Sequence, residues 1–330
     1  MSEAILGEEW DGQRSANHAN WEDRVAHHVG EESQYSKELA QVRTGRPALQ
    51  QTEMEELAGL VEGRSCLHLQ CHIGTDTISL THLGASKVVG LDFSGKALAE
   101  AAKLAAAAGL SDEQARWVES DVFQAPEALG GEVFDLVYCS VGTLCWLPNI
   151  KLWARAVGAT VAPGGTFYIR DSHPMAMTLA DDATDGYMER PKDDKGARDL
   201  LISYPYYEVK EPTMFEDDGT YADPNAKVEN RRTYEWNHPL GAIVTALIQE
   251  AGLTIEFVHE HQSLDWKMLD FMERDEAELG CARHTAVAVL SPTCPQKFSS
   301  LSLIQTLTAA HVYEGSAAID SQRIKLQNVQ

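Results

Sequence analysis

Short apolar runs alternate with longer helical patterns across residues 60–171, and this alternation leaves few folds open. "SCLHLQ" is followed by "DTISLTHLGA", and "KVVGLDF" by "SGKALAEAAKLAAAAGL", an alanine-rich helix that ends at Gly109. "ARWVESDVF", "EVFDLVYCS", a helical "IKLWARAVGATV" and "GTFYIRDS" complete the series. Strands separated by helices at this rhythm predict right-handed βαβ units, a parallel sheet and a doubly wound α/β core. The "APGG" ahead of "TFYIRD" predicts a sharp reversal at Gly164 or Gly165.

The flanks read differently. Residues 1–62 carry two helical stretches, "SANHANWEDRVAHHVG" and "LQQTEMEELAGLV", and form an N-terminal helical cap before a core at 63–171. Five prolines and several acidic clusters interrupt the rhythm over 172–236. An insertion of that length in a compact fold serves as a lid or a substrate element. The α/β pattern resumes over 237–293 with "HPLGAIVTALIQEAGL", "TIEFVHEHQ" and "RHTAVAVLS", and a polar tail follows at 294–330.

The 27 Lys and Arg are outnumbered by 50 Asp and Glu, giving a net charge of −23. Such a surface repels phosphate backbones, so neither nucleic acid nor an anionic membrane is an expected partner. No apolar run approaches the ~20 residues that span a bilayer. The N-terminus lacks the basic and apolar regions of a signal peptide, so a cytoplasmic protein is expected. The six cysteines include no CxxC pair and read as reduced thiols. Cys66, Cys71 and His72 lack the spacing of a structural zinc site, and no metal is expected.

The loop in "LHLQCHIGTDTISL" joins the first strand to the next helix. Parallel sheets bind ligands at the carboxyl ends of their strands, and a helix N-terminus suits an anion. The first strand ends near Gln70, and the helix begins near Asp76 or Thr77. "GLDFS" puts Asp92 at the end of the second strand, where a carboxylate can accept from a ribose diol, with Ser94 as N-cap of the next helix. "ESDVF" puts Asp121 at the end of the third strand, within reach of an adenine amino group. The three strand ends together predict an adenosine-type cofactor.

Together with "FDLVYCSVGTLCWLPN" and "VAPGGTFYIRDSHP", these motifs resemble class I S-adenosylmethionine-dependent methyltransferases, over roughly residues 16–290. More narrowly, the chain resembles a subgroup whose first motif reads Leu-Gln-Cys-His-x-Gly-x-Asp-Thr. The resemblance implies a Rossmann-like, doubly wound, mostly parallel seven-stranded sheet, with the cap and a lid inserted before the sixth strand. In the broad family the first motif is acid-x-Gly-x-Gly-x-Gly. Here His68 holds the acidic position, Gln70 and His72 replace two glycines, and Gly74 remains; the two side chains would then supply hydrogen bonds to the methionyl half of the cofactor. By the same resemblance Asp92 holds the ribose hydroxyls, Phe93 packs on the adenine, Asp121 takes the adenine amine and the Val122 N–H meets the ring. Ser140 lies where the sulfonium passes toward the acceptor, and Trp21 and Tyr35 close over the cofactor.

Methyl transfer from a sulfonium is an in-line displacement, so the protein aligns the acceptor, excludes water and removes a proton where one must leave. Alignment alone supplies about 7–11 kcal/mol. His173, in "RDSHP", and His238, in "YEWNHPLG", are the expected bases, with Asp171 orienting His173 or binding an amine. Trp146, Tyr206, Tyr207 and Trp236 are expected to wall the acceptor pocket, where cation–π attraction is worth about 0.5–2 kcal/mol. The expected protein is a monomer or homodimer acting on a small hydrophobic or aromatic molecule. A nicotinamide-dependent oxidoreductase is disfavoured because no GxGxxG follows the first strand. A catalytically silent partner subunit is disfavoured by Gly74, Asp92 and Asp121.

Overall fold

The computed structural model describes residues 10–179, 202–223, 225–264, 274–275 and 280–291, with only the backbone from 262 onward. By its internal contacts the chain divides into Met1–Cys294 and Pro295–Gln330, and every described residue lies in the first unit. The tail expected at 294–330 lies outside the described residues, as does 180–201 of the insertion.

Five parallel strands make the centre: β1 (Ser65–Leu69), β2 (Lys87–Asp92), β3 (Ala115–Glu119), β4 (Phe134–Cys139) and β5 (Val161–Ser172). Their spatial order is β3-β2-β1-β4-β5. Chain order reverses between β1 and β4, which puts the ligand crevice at the carboxyl ends of those two strands. Beyond β5 lies β10 (Gly280–Ser291), antiparallel to it, and then β8 (Thr254–Leu264), antiparallel to β10. A two-residue β9 (Arg274–Asp275) also pairs with β10, giving an eight-stranded sheet among the described residues.

Side-chain alternation along the strands builds two cores. Leu67, Leu69, Val137, Cys139, Phe167 and Ile169 face one side, packed by α6 (Ala125–Ala128), α7 (Ile150–Thr160) and α8 (Leu240–Gln249). Cys66, Val88, Leu136, Tyr138 and Tyr168 face the other, under α4 (Thr75–His82), α5 (Gly95–Ala107) and the cap helices α1 (Asp11–His28), α2 (Ser36–Arg43) and α3 (Gln51–Leu57). Carboxylates of α3 fasten it to the sheet. Glu53 accepts from the Tyr138 hydroxyl at 2.7 Å and from Arg170 at 3.1 Å, both ion-pair partners being buried.

Three expectations change. The cap has three helices rather than two, because the eight residues "SKELAQVR" form α2. The "APGG" makes no reversal: it is an irregularity within β5, in which Val161 pairs with Phe134 while Thr166 pairs with Leu136. Gly164 takes φ +76° there, and a Cβ on Gly165 would sit 2.9 Å from the Phe134 carbonyl, so the extra residues bulge against the β4 backbone. The insertion also contains an antiparallel ribbon of its own, β6 (Thr213–Glu216) and β7 (Arg232–Glu235).

The ribbon is stitched to α1. Asn17 donates to the Tyr234 carbonyl and accepts from the Tyr234 N–H, each at 2.8 Å. Asn20 donates to the Asn230 carbonyl at 2.5 Å, and Asp23 accepts from the Asn230 backbone and side chain at 2.8 Å.

Helix α7 meets the end of α8 at Gly158, where a Cβ would lie 2.6 Å from Ala251 backbone atoms. Gly158→Ala is expected to lower stability by about 1–3 kcal/mol by overpacking. Gly241→Ala, with nothing within 4 Å of its Cβ position, is expected to leave stability unchanged or raise it by about 0.4–1 kcal/mol. Urea denaturation of both variants checks the pair.

Candidate active site

The loop between β1 and α4 keeps the backbone of a glycine-rich loop without its glycines. Gln70 has φ 58° and His72 has φ 49°, both left-handed, as is Gly74 at φ 75°. Left-handed backbone costs a non-glycine residue roughly 1–2 kcal/mol, and such strain gathers at functional sites. Hydrogen bonds hold it here. The His72 N–H donates to Asp92 Oδ2 at 2.8 Å, and Gln70 Nε2 donates to the Thr143 carbonyl at 3.1 Å, spanning the crevice between the β1 and β4 loops. Gly74 is required for a second reason: its Cβ, and that of Gly90, would each lie 2.5 Å from the Trp117 ring.

Asp92 is 6% exposed and ends β2. Its other oxygen accepts from the Ser94 N–H at 2.9 Å, and Ser94 Oγ caps α5 by accepting from Ala97. Burial raises the Asp92 carboxyl from its ordinary value to about 6, against the pull of its backbone donors. His18 of α1 donates to the Phe93 carbonyl at 3.1 Å and meets the Phe93 ring edge-on. Asp121 accepts from the Phe123 N–H at 2.9 Å and pairs with Arg14, while Val122 is buried in the turn that follows β3.

An aromatic roof covers the loop. Trp21 contacts His72 at 5.2 Å and Trp146 at 5.4 Å between ring centroids. Tyr35 and Tyr221 join hydroxyls at 2.8 Å beside His28, whose Nδ1 lies 3.1 Å from His72 Nε2. Burial lowers His28 to about 2 and His72 to about 3, so both rings stay neutral and share one proton along that contact. Arg24 lies over Trp21 and Trp146 at 5.2 and 5.9 Å from the ring centroids. The Nε of Arg24, Nε2 of His28 and Oδ1 of Asn20 are buried without a hydrogen-bond partner among the described residues.

Beneath the loop runs a chain of donors with one polarity. Ser140 donates to Asp76 Oδ2 at 2.8 Å and so accepts from His68 Nε2 at 3.0 Å, which leaves His68 Nδ1 to accept from the Thr77 hydroxyl at 2.8 Å. Burial lowers His68 to about 3 and raises Asp76 to about 6, Glu53 adding to the latter. His68 therefore keeps a polar role at the position where an acid was expected.

The residues expected to bind the acceptor or act as bases divide. Trp146 belongs to the roof, its indole donating to the Gly142 carbonyl at 2.8 Å. Trp236 is buried; its backbone N–H donates to the Cys145 carbonyl at 2.8 Å, while its indole Nε1 has no hydrogen-bond partner among the described residues. It lines a cavity of about 150 Å³ with Ala176, Leu179, Tyr204, Phe215 and Glu235. Tyr206 and Tyr207 pack on each other at 5.2 Å and do not line it; Tyr207 is 74% exposed.

Both histidines hold structure together. His173 accepts from the Met175 N–H at 3.1 Å through Nδ1, and its Nε2 contacts Glu260 at 2.7 Å. His238 places Nδ1 2.8 Å from Glu208 and Nε2 2.7 Å from the Leu147 carbonyl. Neither ring has a nitrogen open to an acceptor molecule in this arrangement. Asp171, expected beside His173, instead accepts from the N–H groups of Gly142, Thr143, Leu144 and Ser172 at 2.6–3.1 Å, and so shapes the β4 loop.

Sequence reasoning missed Arg24, His28, Tyr221 and Glu235. Burial raises Glu235 to about 7 despite the nearby Arg24 charge. The only signal in the sequence was position: Glu235 precedes Trp236, and Arg24 and His28 follow Trp21 at helical spacing.

Residues 67–167 match the family model described as a methyltransferase domain. A search of curated proteins finds no match. A putative S-adenosylmethionine-dependent methyltransferase from Listeria monocytogenes aligns with a TM-score of 0.51 at 16% identity, over 73% of this chain and 97% of its own. An S-adenosylmethionine-dependent methyltransferase from Mesorhizobium loti is 23% identical, with 73% and 96% covered and a TM-score of 0.49. Magnesium protoporphyrin IX methyltransferase from Synechocystis, solved with S-adenosylhomocysteine, is 12% identical, with 86% and 99% covered and a TM-score of 0.47. The Listeria likeness establishes a shared α/β fold, and the family match over 67–167 covers the strands that carry the loop, Asp92 and Asp121.

Proposed function

We propose that the chain is an S-adenosylmethionine-dependent methyltransferase acting on a small, largely apolar molecule. The observation that carries this reading is the strained loop at the β1/β4 switch point, tied to Asp92 and roofed by α1. The orphaned atoms of Arg24, His28 and Asn20 fit the methionyl end of that cofactor, which offers donors and acceptors of both charges. Asp92 has unused acceptor capacity for the ribose, and Asp121 and Phe93 stand at adjoining strand ends for the adenine. The cofactor, when bound, supplies an electrophilic methyl group on a sulfonium.

The chain's own residues do the rest. The roof of Trp21, Trp146 and Tyr35 excludes water and presents ring faces suited to a cation. The cavity beside Trp236 has about the volume of an engineered apolar cavity that binds benzene. Glu235 lines that cavity and feels the charge of Arg24 in the roof. A carboxylate held near neutrality by burial suits removal of a proton from the acceptor. Glu235 thus replaces His173 and His238 as the proposed base. The nicotinamide and silent-subunit readings gain no support from these contacts.

Calorimetry with S-adenosylmethionine, S-adenosylhomocysteine and NADH tests the cofactor. The first two are expected to bind and NADH is not; the reverse result overturns the reading. Gln70→Ala and His72→Ala are each expected to weaken S-adenosylhomocysteine about three- to tenfold, the loss of one neutral hydrogen bond. Unchanged affinity in both would make the side chains fillers.

The ionised Asp92 accepts better from ribose hydroxyls than the acid does. Affinity is therefore expected to fall as pH drops through about 6, and Asp92→Asn to flatten that profile in titrations from pH 5 to 8. A labelled-methyl screen of small phenols, amines and carboxylic acids identifies the acceptor class. With that acceptor, Glu235→Gln is expected to lower turnover about 10²–10⁴-fold while leaving S-adenosylhomocysteine affinity unchanged.

A further inference from the structure

Away from the crevice, three metal-ligating side chains converge where α3 meets β8. Glu56 Oε1 lies 2.6 Å from His259 Nδ1 and 3.7 Å from His261 Nε2, and the three ligand atoms all fall within 4.8 Å of one another. His259 and His261 stand two apart on one strand and so share a face. We propose that Glu56, His259 and His261 bind a divalent transition-metal ion of the zinc class and clamp α3 to the last strand of the sheet.

A plain carboxylate–imidazole pair accounts for only half of this arrangement. His259 and Glu56 are within hydrogen-bonding distance, but 3.7 Å is too long for His261. The Nε2 of His261 is nevertheless buried, without a hydrogen-bond partner among the described residues, and faces the same oxygen. An ion among the three atoms satisfies it. Zinc takes imidazole nitrogen at about 2.0–2.1 Å and carboxylate oxygen at about 2.0–2.2 Å, so tetrahedral ligand atoms stand about 3.3–3.5 Å apart. The short contact must open and the long one close, each by less than about 1 Å, and a water completes the fourth position.

The surroundings support the ligands as a metal site requires. The second oxygen of Glu56 accepts from the Tyr168 hydroxyl at 2.8 Å, which fixes the carboxylate, and Phe257 stacks on His259 at 4.2 Å and 17°. Two imidazoles and one carboxylate favour zinc, cobalt or nickel over magnesium or calcium. The next residue between the two histidines, Glu260, points to the opposite face and holds His173 at 2.7 Å. A metal on one face of β8 thereby steadies the His173 end of β5 from behind.

The test uses the untagged full-length chain, stripped with chelator and titrated with Co²⁺ and then Zn²⁺. One equivalent of Co²⁺ is expected to give a visible d–d spectrum that Zn²⁺ abolishes, and Zn²⁺ to raise the thermal midpoint. His259→Ala and His261→Ala are each expected to weaken binding roughly tenfold or more, with S-adenosylhomocysteine affinity unchanged as the sign of an intact fold. His27→Ala, on α1, is the control and keeps the metal. Absence of a one-equivalent event, or binding that survives either strand substitution, overturns the proposal.

Discussion

Two backbone N–H groups, those of His72 and Ser94, converge on the carboxylate of Asp92, and much of the molecule is referred to that point. The first fixes a loop whose Gln70 and His72 carry left-handed backbone at roughly 1–2 kcal/mol each. Hydrogen bonds to a charged group contribute about 1.5–3 kcal/mol, which offsets such strain. The second starts α5. From His72 the contacts pass to His28 and Trp21, and so to the cap helix. Strand end, loop, helix start and roof are thus held in one geometry by one buried carboxylate.

The parallel core was legible because its signals are local. Apolar runs of strand length, an alanine-rich helix and an aspartate at a strand end all lie within a dozen residues of what they specify. The positions of β1 to β5 and of Asp92 followed from them. What could not be read depends on distant partners. Nothing near Gln70 and His72 says that they take the backbone of the glycines they replace; Asp92, twenty residues on, enforces it. The β6–β7 strands are four residues each in a charged context, and they are positioned by side chains more than two hundred residues away. Glu235 draws its unusual proton affinity from burial that only the folded chain creates. The histidines of "RDSHP" and "NHPLG" were plausible bases by location, and in the fold both nitrogens of each ring have neighbours that the sequence did not announce.

Below the loop the sheet buries several polar groups in ordered contact, and this has a physical logic. Unpaired groups there would cost about 1–3 kcal/mol each. The His68–Ser140–Asp76 chain and the Glu53–Tyr138–Arg170 cluster satisfy one another instead. Asp171 does the same for the β4 loop, gathering the backbone donors of Gly142, Thr143 and Leu144 together with that of Ser172 at the end of β5. These groups define where loops end rather than adding bulk stability, as buried polar networks do.

The side-chain amide of Asn17 reads the Tyr234 peptide in both directions, as a neighbouring strand would. The helix cannot slip along the ribbon by one residue without losing both bonds at once. Helix α1 of the cap and the β7 end of the insertion, far apart in the chain, are therefore locked in a single register.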